Sequence, residues 1–176
     1  MSAITAELHK AFLRPLDDRV LRHSDVKEKP LLVDLALPLP PRLRVYMYSL
    51  VVGGKHRRGE YKAVLRVPGQ PVGEYDSFDH SGDRLAILVA YHDDLDVFVF
   101  WDASLHPQFK NGGNIQVKDA TVLRAAATGH AEQVRSLSGG KRELVIACRS
   151  YNLAAAIDAR VSRTGDTEDQ WGRCPN

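Results

Sequence analysis

Trp101, Asp102 and His106, followed by Asn114 and Gln116, form the densest group of chemistry-bearing side chains in the chain. The indole offers a π face for stacking an extruded base. The polar side chains carry donors and acceptors able to read a base edge. Lys110 and Lys118 lie among them and suit phosphates. As a metal site the group is poor, because no second His or Cys stands at ligand spacing from Asp102 and His106. A structural reading stands beside the functional one. In it Trp101 is core, Asp102 caps the following turn, and Asn114 bonds backbone in a loop.

Upstream, Lys55, His56, Arg57 and Arg58 lie between Gly54 and Gly59, which puts cations on a loop that could sit on phosphates or reach a groove. Glu60 and Lys62 follow at the spacing of a nuclease Glu-x-Lys pair, in which carboxylates hold Mg²⁺ and the lysine stabilises charge near the attacked phosphate. Asp34 is the one nearby candidate for the missing carboxylate. The spacing is common by chance, so a magnesium-dependent nuclease is the alternative and not the leading reading. Tyr46, Tyr48 and Tyr61 are the next aromatics that could face a base. Walker, G-x-S-x-G, H-E-x-x-H and G-x-G-x-x-G patterns are absent, and no cofactor is indicated.

These residues need a scaffold. The apolar runs 85–91 and 97–101 flank an acidic, turn-prone His92-Asp93-Asp94-Leu95-Asp96, which reads as a β-hairpin with a loop longer than two residues. Its arms are apolar at nearly every position, so both faces should be covered. Residues 43–52 alternate as a strand, with Val45, Met47 and Ser49 on one face and Arg44, Tyr46, Tyr48 and Leu50 on the other. Further strands are expected over 60–67, 114–122 and 143–150. Residues 3–23 have helical spacing interrupted by Pro15, and the Pro-studded stretch from Leu31 reads as a connector or edge segment. Residues 121–137 read as a short helix broken at Gly129, and 153–161 as the clearest helix. The expected class is α+β, a curved antiparallel or mixed sheet or partly closed barrel with flanking helices. Its organisation is an N-terminal helix and connector over 1–41, a domain over 42–161 and a flexible tail over 162–176.

At 176 residues and 44% hydrophobic content, the chain can bury one sizeable core. The net charge of +2 decides little, but its distribution is uneven. Residues 42–66 and 105–150 are rich in Lys and Arg, whereas 71–102 holds Glu74, Asp76, Asp79, Asp83, Asp93, Asp94, Asp96 and Asp102 against Arg84 alone. Such segregation permits a basic face on a nearly neutral protein. Cys148 and Cys174 suggest neither a disulfide scaffold nor a thiolate metal site. With no membrane-length apolar run and no signal-peptide pattern, a cytoplasmic location is expected.

The ordered series Gly59-Glu60-Tyr61-Lys62, 85–91, 97–102, His106 with Phe109, and 114–118 resembles domains on the N-terminal side of bacterial HNH-type restriction endonucleases. The likeness spans roughly residues 42–161. It implies a partner of double-stranded DNA, modified and most plausibly carrying 5-methylcytosine, and a separate nuclease or methylation-system protein. No HNH-type module follows in this sequence, so the resemblance implies a stand-alone reader without catalysis of its own. A protein–protein adaptor of a restriction-modification system is the third reading.

Overall fold

The computed structural model describes residues 3–54 and 58–164. The chain is α+β, built on a seven-stranded mixed sheet that stays open. The strands are β1 (Val20–His23), β2 (Leu31–Leu35), β3 (Arg42–Ser49), β4 (Val51–Val52), β5 (Glu60–Val64), β6 (Tyr75–Asp76), β7 (Leu85–His92), β8 (Val97–Trp101), β9 (Phe109–Lys110), β10 (Asn114–Lys118), β11 (His130–Ser136) and β12 (Arg142–Arg149). The helices are α1 (Ala3–Leu13), α2 (Asp119–Thr128) and α3 (Leu153–Ser162). The large sheet runs β1-β2-β3-β7-β8-β12-β11, with β3 and β7 parallel and the other pairs antiparallel. A three-stranded sheet, β10-β5-β4, and a short β6-β9 pair lie apart from it.

The β7–β8 hairpin occupies the middle because its side chains are apolar on both faces. Phe98 and Phe100 join Phe12, Val45, Met47, Ile87 and Ile157 in one core, beneath α1 and α3. Val97, Val99 and Trp101 join Tyr46, Tyr48, Leu88, Tyr61, Ile115 and Val122 in the other, beneath the small sheet and α2. The alternation expected along β3 is present, with Val45 and Met47 in the first core and Tyr46, Tyr48 and Leu50 in the second. The hairpin turn closes on a bond from Asp96 N–H to the Asp93 carbonyl, with Asp96 in the left-handed region at φ 50°.

Two expectations are corrected. The Pro-studded segment supplies β2 as an inner strand, flanked by β1 and β3, because its prolines sit before Leu31 and after Leu35 and not among the paired residues. Phe12, Leu16, Leu31 and Val33 share a core with β7 and β8. Beyond Gly129, which caps α2 at φ 89°, the chain forms β11 and not more helix. Among the described residues no helix is long and apolar enough to cross a membrane. Cys148 is buried, which pushes its thiol up to about 12, and Cys174 lies outside the described residues.

Lys29 lies with its Nζ 3.5 Å from the centre of the Tyr48 ring. Burial lowers its amine from the ordinary lysine range to about 7, and the ring face offsets part of the lost hydration. Between that value and the unfolded value of about 10.4, the unfolded chain binds the proton and the folded chain does not, so stability rises with pH. Wild type should therefore gain in urea midpoint from about pH 7 to about pH 9.5, and Lys29→Met should flatten that rise.

Candidate nucleic-acid interface

The side chains of β5 and β10 alternate cleanly. Tyr61, Ala63, Ile115 and Val117 point into the core, so Glu60, Lys62 and Val64 share the opposite face with Asn114, Gln116 and Lys118. Their register is fixed, with Asn114 opposite Val64, Gln116 opposite Lys62, and Lys118 opposite Glu60. Pairing continues past Val64 through bonds from Leu65 N–H to the Gly113 carbonyl and from Gly112 N–H to the Leu65 carbonyl. Arg66 thereby extends the outward row, and at strand rise the row from Glu60 to Arg66 spans about 20 Å.

Two further cations flank this ribbon. Arg58 is exposed in the turn that leads into β5, and Lys110 is exposed on β9. Lys110 pairs in register with Tyr75, whose ring is 71% exposed. Asn111 fixes this end by donating to the Gln70 and Pro71 carbonyls and accepting from Val67 N–H. Tyr75 was missed by sequence reasoning, because a lone aromatic in a polar, Gly- and Pro-containing connection carries no periodic signal. The basic-loop residues Lys55, His56 and Arg57 lie outside the described residues.

Several acidic residues find their counter-charges away from this face. Asp34 pairs with Arg22 and Arg84, Asp79 with Arg44, Asp83 with Arg42, Asp96 with Arg149 and Asp102 with Arg160. Much of the acidic stretch is thus neutralised by arginines elsewhere. Arg58, Lys62, Arg66, Lys110 and Lys118 have no ion-pair partner among the described residues.

Trp101, Asp102 and His106 do come together, but below the surface. Trp101 is fully enclosed, and its indole N–H donates to the Gln116 carbonyl at 3.1 Å, tying the small sheet to the large one. Asp102 is 2% exposed. It accepts from Ser104 N–H at 2.9 Å and Ser104 Oγ at 2.6 Å, capping the next turn, while Arg160 Nη2 stands 3.1 Å from its other oxygen. His106 Nε2 bonds Glu143 Oε1 at 2.8 Å, and the same oxygen accepts from Asp102 N–H. Arg135 reaches the second Glu143 oxygen and also donates to the Gln116 carbonyl. Burial would raise the Glu143 carboxyl, but the bond and charge of His106, then those of Arg135, outweigh it and hold the group below the usual carboxylate range. Its stabilisation is therefore present above about pH 4.3 and is lost as pH falls through the lower folded value.

Tyr46, Tyr48 and Tyr61 are buried too. Tyr46 Oη accepts from Asp79 N–H, Tyr48 Oη donates to the Arg66 carbonyl, and Tyr61 meets His92 edge-on. In this structure none of these rings, nor that of Trp101, offers an open face, whereas Asn114, Gln116, Lys110 and Lys118 remain accessible. The nuclease grouping is not assembled. Asp34 sits in β2 between its two arginines, while Glu60 and Lys62 belong to the other sheet. Among the described residues no cluster of three His, Cys, Asp or Glu side chains is placed to hold a metal ion.

Residues 41–157 match the family model described as Methylase-associated X1. The chain belongs to that family. No curated protein and no solved structure matches it. The Methylase-associated X1 match begins one residue before β3 and ends inside α3, so it contains the whole β5–β10 ribbon and the network around Glu143. Membership ties the chain to methylase systems, which is the coarse part of the expectation raised by the resemblance.

Proposed function

We propose that this protein binds double-stranded DNA through the outward face of β5 and β10, and that it reads modified DNA within a methylase-linked restriction-modification system. The observation that carries the reading is the set of cations at this face that have no ion-pair partner among the described residues, interleaved with Asn114 and Gln116 at fixed register. In the major groove Asn and Gln pair with adenine edges and Lys with guanine. Val64, directly across from Asn114, supplies the apolar contact that a pyrimidine 5-methyl group needs. Lys62, Arg66, Lys110 and Lys118 meet phosphates, and the exposed Tyr75 adds a stacking surface at one end. Because Trp101, Tyr46, Tyr48 and Tyr61 are enclosed, the proposed readout uses base edges in the groove and does not require an extruded base.

The test is a gel shift in EDTA with duplexes identical except for 5-methylcytosine. Wild type should bind, and should prefer the methylated duplex. Val64→Ala should narrow the preference, whereas Asn114→Ala or Gln116→Ala should weaken binding to both duplexes by about tenfold or more, consistent with about 1–3 kcal/mol for a good base contact. Absence of binding, or magnesium-dependent cleavage lost in Glu60→Ala, would sink the reading.

A further inference from the structure

We propose that a groove beside the β7–β8 turn, bordered by the β4 edge of the small sheet, is a docking site for a basic amphipathic segment of a protein partner. The groove encloses about 870 Å³ between α1, the β3–β4 junction and the hairpin turn. Its apolar side is formed by Ile4, Leu8, Val51 and Val52, and Ile4 and Val52 are 62% and 64% exposed. Apolar side chains left open on two adjoining elements mark an interaction surface, where isolated ones would not.

The charge of the groove selects the partner. Among the described residues Glu7, Asp93, Asp94 and Asp96 line it against one cation, Arg14. Two of these acids are engaged: Glu7 pairs with Lys10, and Asp96 accepts from Tyr91 Oη and Ser150 Oγ besides its pair with Arg149. Those bonds hold the turn in place. Asp93 and Asp94 stand exposed on it, with no ion-pair partner among the described residues. A fixed pair of carboxylates beside an apolar wall complements a helix with an apolar stripe and flanking Lys or Arg, the helix-in-groove mode. The same carboxylates repel phosphate, so DNA is not the occupant.

The full chain is titrated against a labelled Lys/Leu amphipathic peptide of about four helical turns, and against a Glu/Leu peptide of the same pattern. The Lys/Leu peptide should bind at least about tenfold more tightly. Asp93→Asn with Asp94→Asn should remove most of that difference, and Val52→Ser should weaken binding of the Lys/Leu peptide. DNA affinity should stay unchanged in both variants, which keeps this result separate from the ribbon. All three side chains are exposed, so the fold should tolerate the changes. Equal binding of the two peptides, or undiminished binding by the Asn variant, would overturn the proposal. So would a concentration-dependent dimer that Val52→Ser dissolves, because the groove would then belong to a second copy of the chain.

Discussion

Arg160→Met should lower the melting temperature by roughly 6–20 °C. Arg160 is 3% exposed, and its guanidinium reaches the Asp102 carboxylate, the Leu144 carbonyl and the Arg163 carbonyl. It thereby ties α3 to the ends of β8 and β12. Removing one member of a buried pair costs about 3–5 kcal/mol, because the remaining charge stays out of water without its partner. A domain of this size loses about 2–4 °C per kcal/mol. The double variant Asp102→Asn with Arg160→Met removes both charges and should recover part of the loss. That recovery, measured as a double-mutant cycle by calorimetry, isolates the charge coupling from lost packing. A double variant as unstable as the two singles combined would show that packing, not charge, sets the cost. The same geometry changes how Asp102 can be probed. Asp102→Asn would disturb a buried ion pair, so any effect of it on DNA binding needs a stability measurement beside it.

How much of this was legible in the sequence depends on how local each signal is. The hairpin was readable because its arms are uniformly apolar and its turn is acidic, and the structure places both arms where both faces are covered. The sides taken by Val45, Met47, Tyr46 and Tyr48 followed from the two-residue period alone. β2 was hidden by prolines that lie just outside the paired residues. β11 was hidden for a different reason. It is the last strand of the sheet, paired only with β12, so His130, Glu132 and Val134 face outward and its alternation is mostly polar.

The site was only half legible for the same cause. The outward placement of Asn114, Gln116 and Lys118 was readable because they alternate with apolar residues along one strand. Trp101 was drawn into the same group by closeness in sequence. β10 lies over it, however, and the Gln116 backbone, not its side chain, accepts the indole N–H. Arg135 and Arg160 carried no signal, and Glu143 only a faint one. Arg160 meets Asp102 from 58 residues away, where no spacing rule reaches, whereas Arg135 and Glu143 are cross-strand neighbours in the β11–β12 hairpin, whose first strand reads as helix in the sequence. A Glu at the head of the apolar run from 143 to 148 was the one available hint, since a carboxylate there must be either exposed or paired.

Reversing two charges on the ribbon, Lys62→Glu with Lys118→Glu, should weaken binding to any duplex by about 100-fold or more at moderate salt, roughly 2.7 kcal/mol. Each phosphate contact removed lowers the steepness of log K against log salt by about 0.9, so losing both should reduce the slope by about 1.8. The replaced side chains add repulsion to that loss. Because cations supply affinity and base contacts supply sequence information, the ratio between methylated and unmethylated duplexes should change little. Both lysines sit on the solvent side of the ribbon, and Lys118→Glu sets a like charge opposite Glu60, so the fold should lose about 1 kcal/mol. Lys141→Glu with Arg142→Glu is the matched control. Both residues are exposed at the β11–β12 turn, and the change in net charge is the same. If the ribbon is the interface, the control should retain most of the affinity and nearly the full slope. If instead the two double variants lose affinity equally, binding follows net charge alone and the ribbon is not the surface that meets DNA.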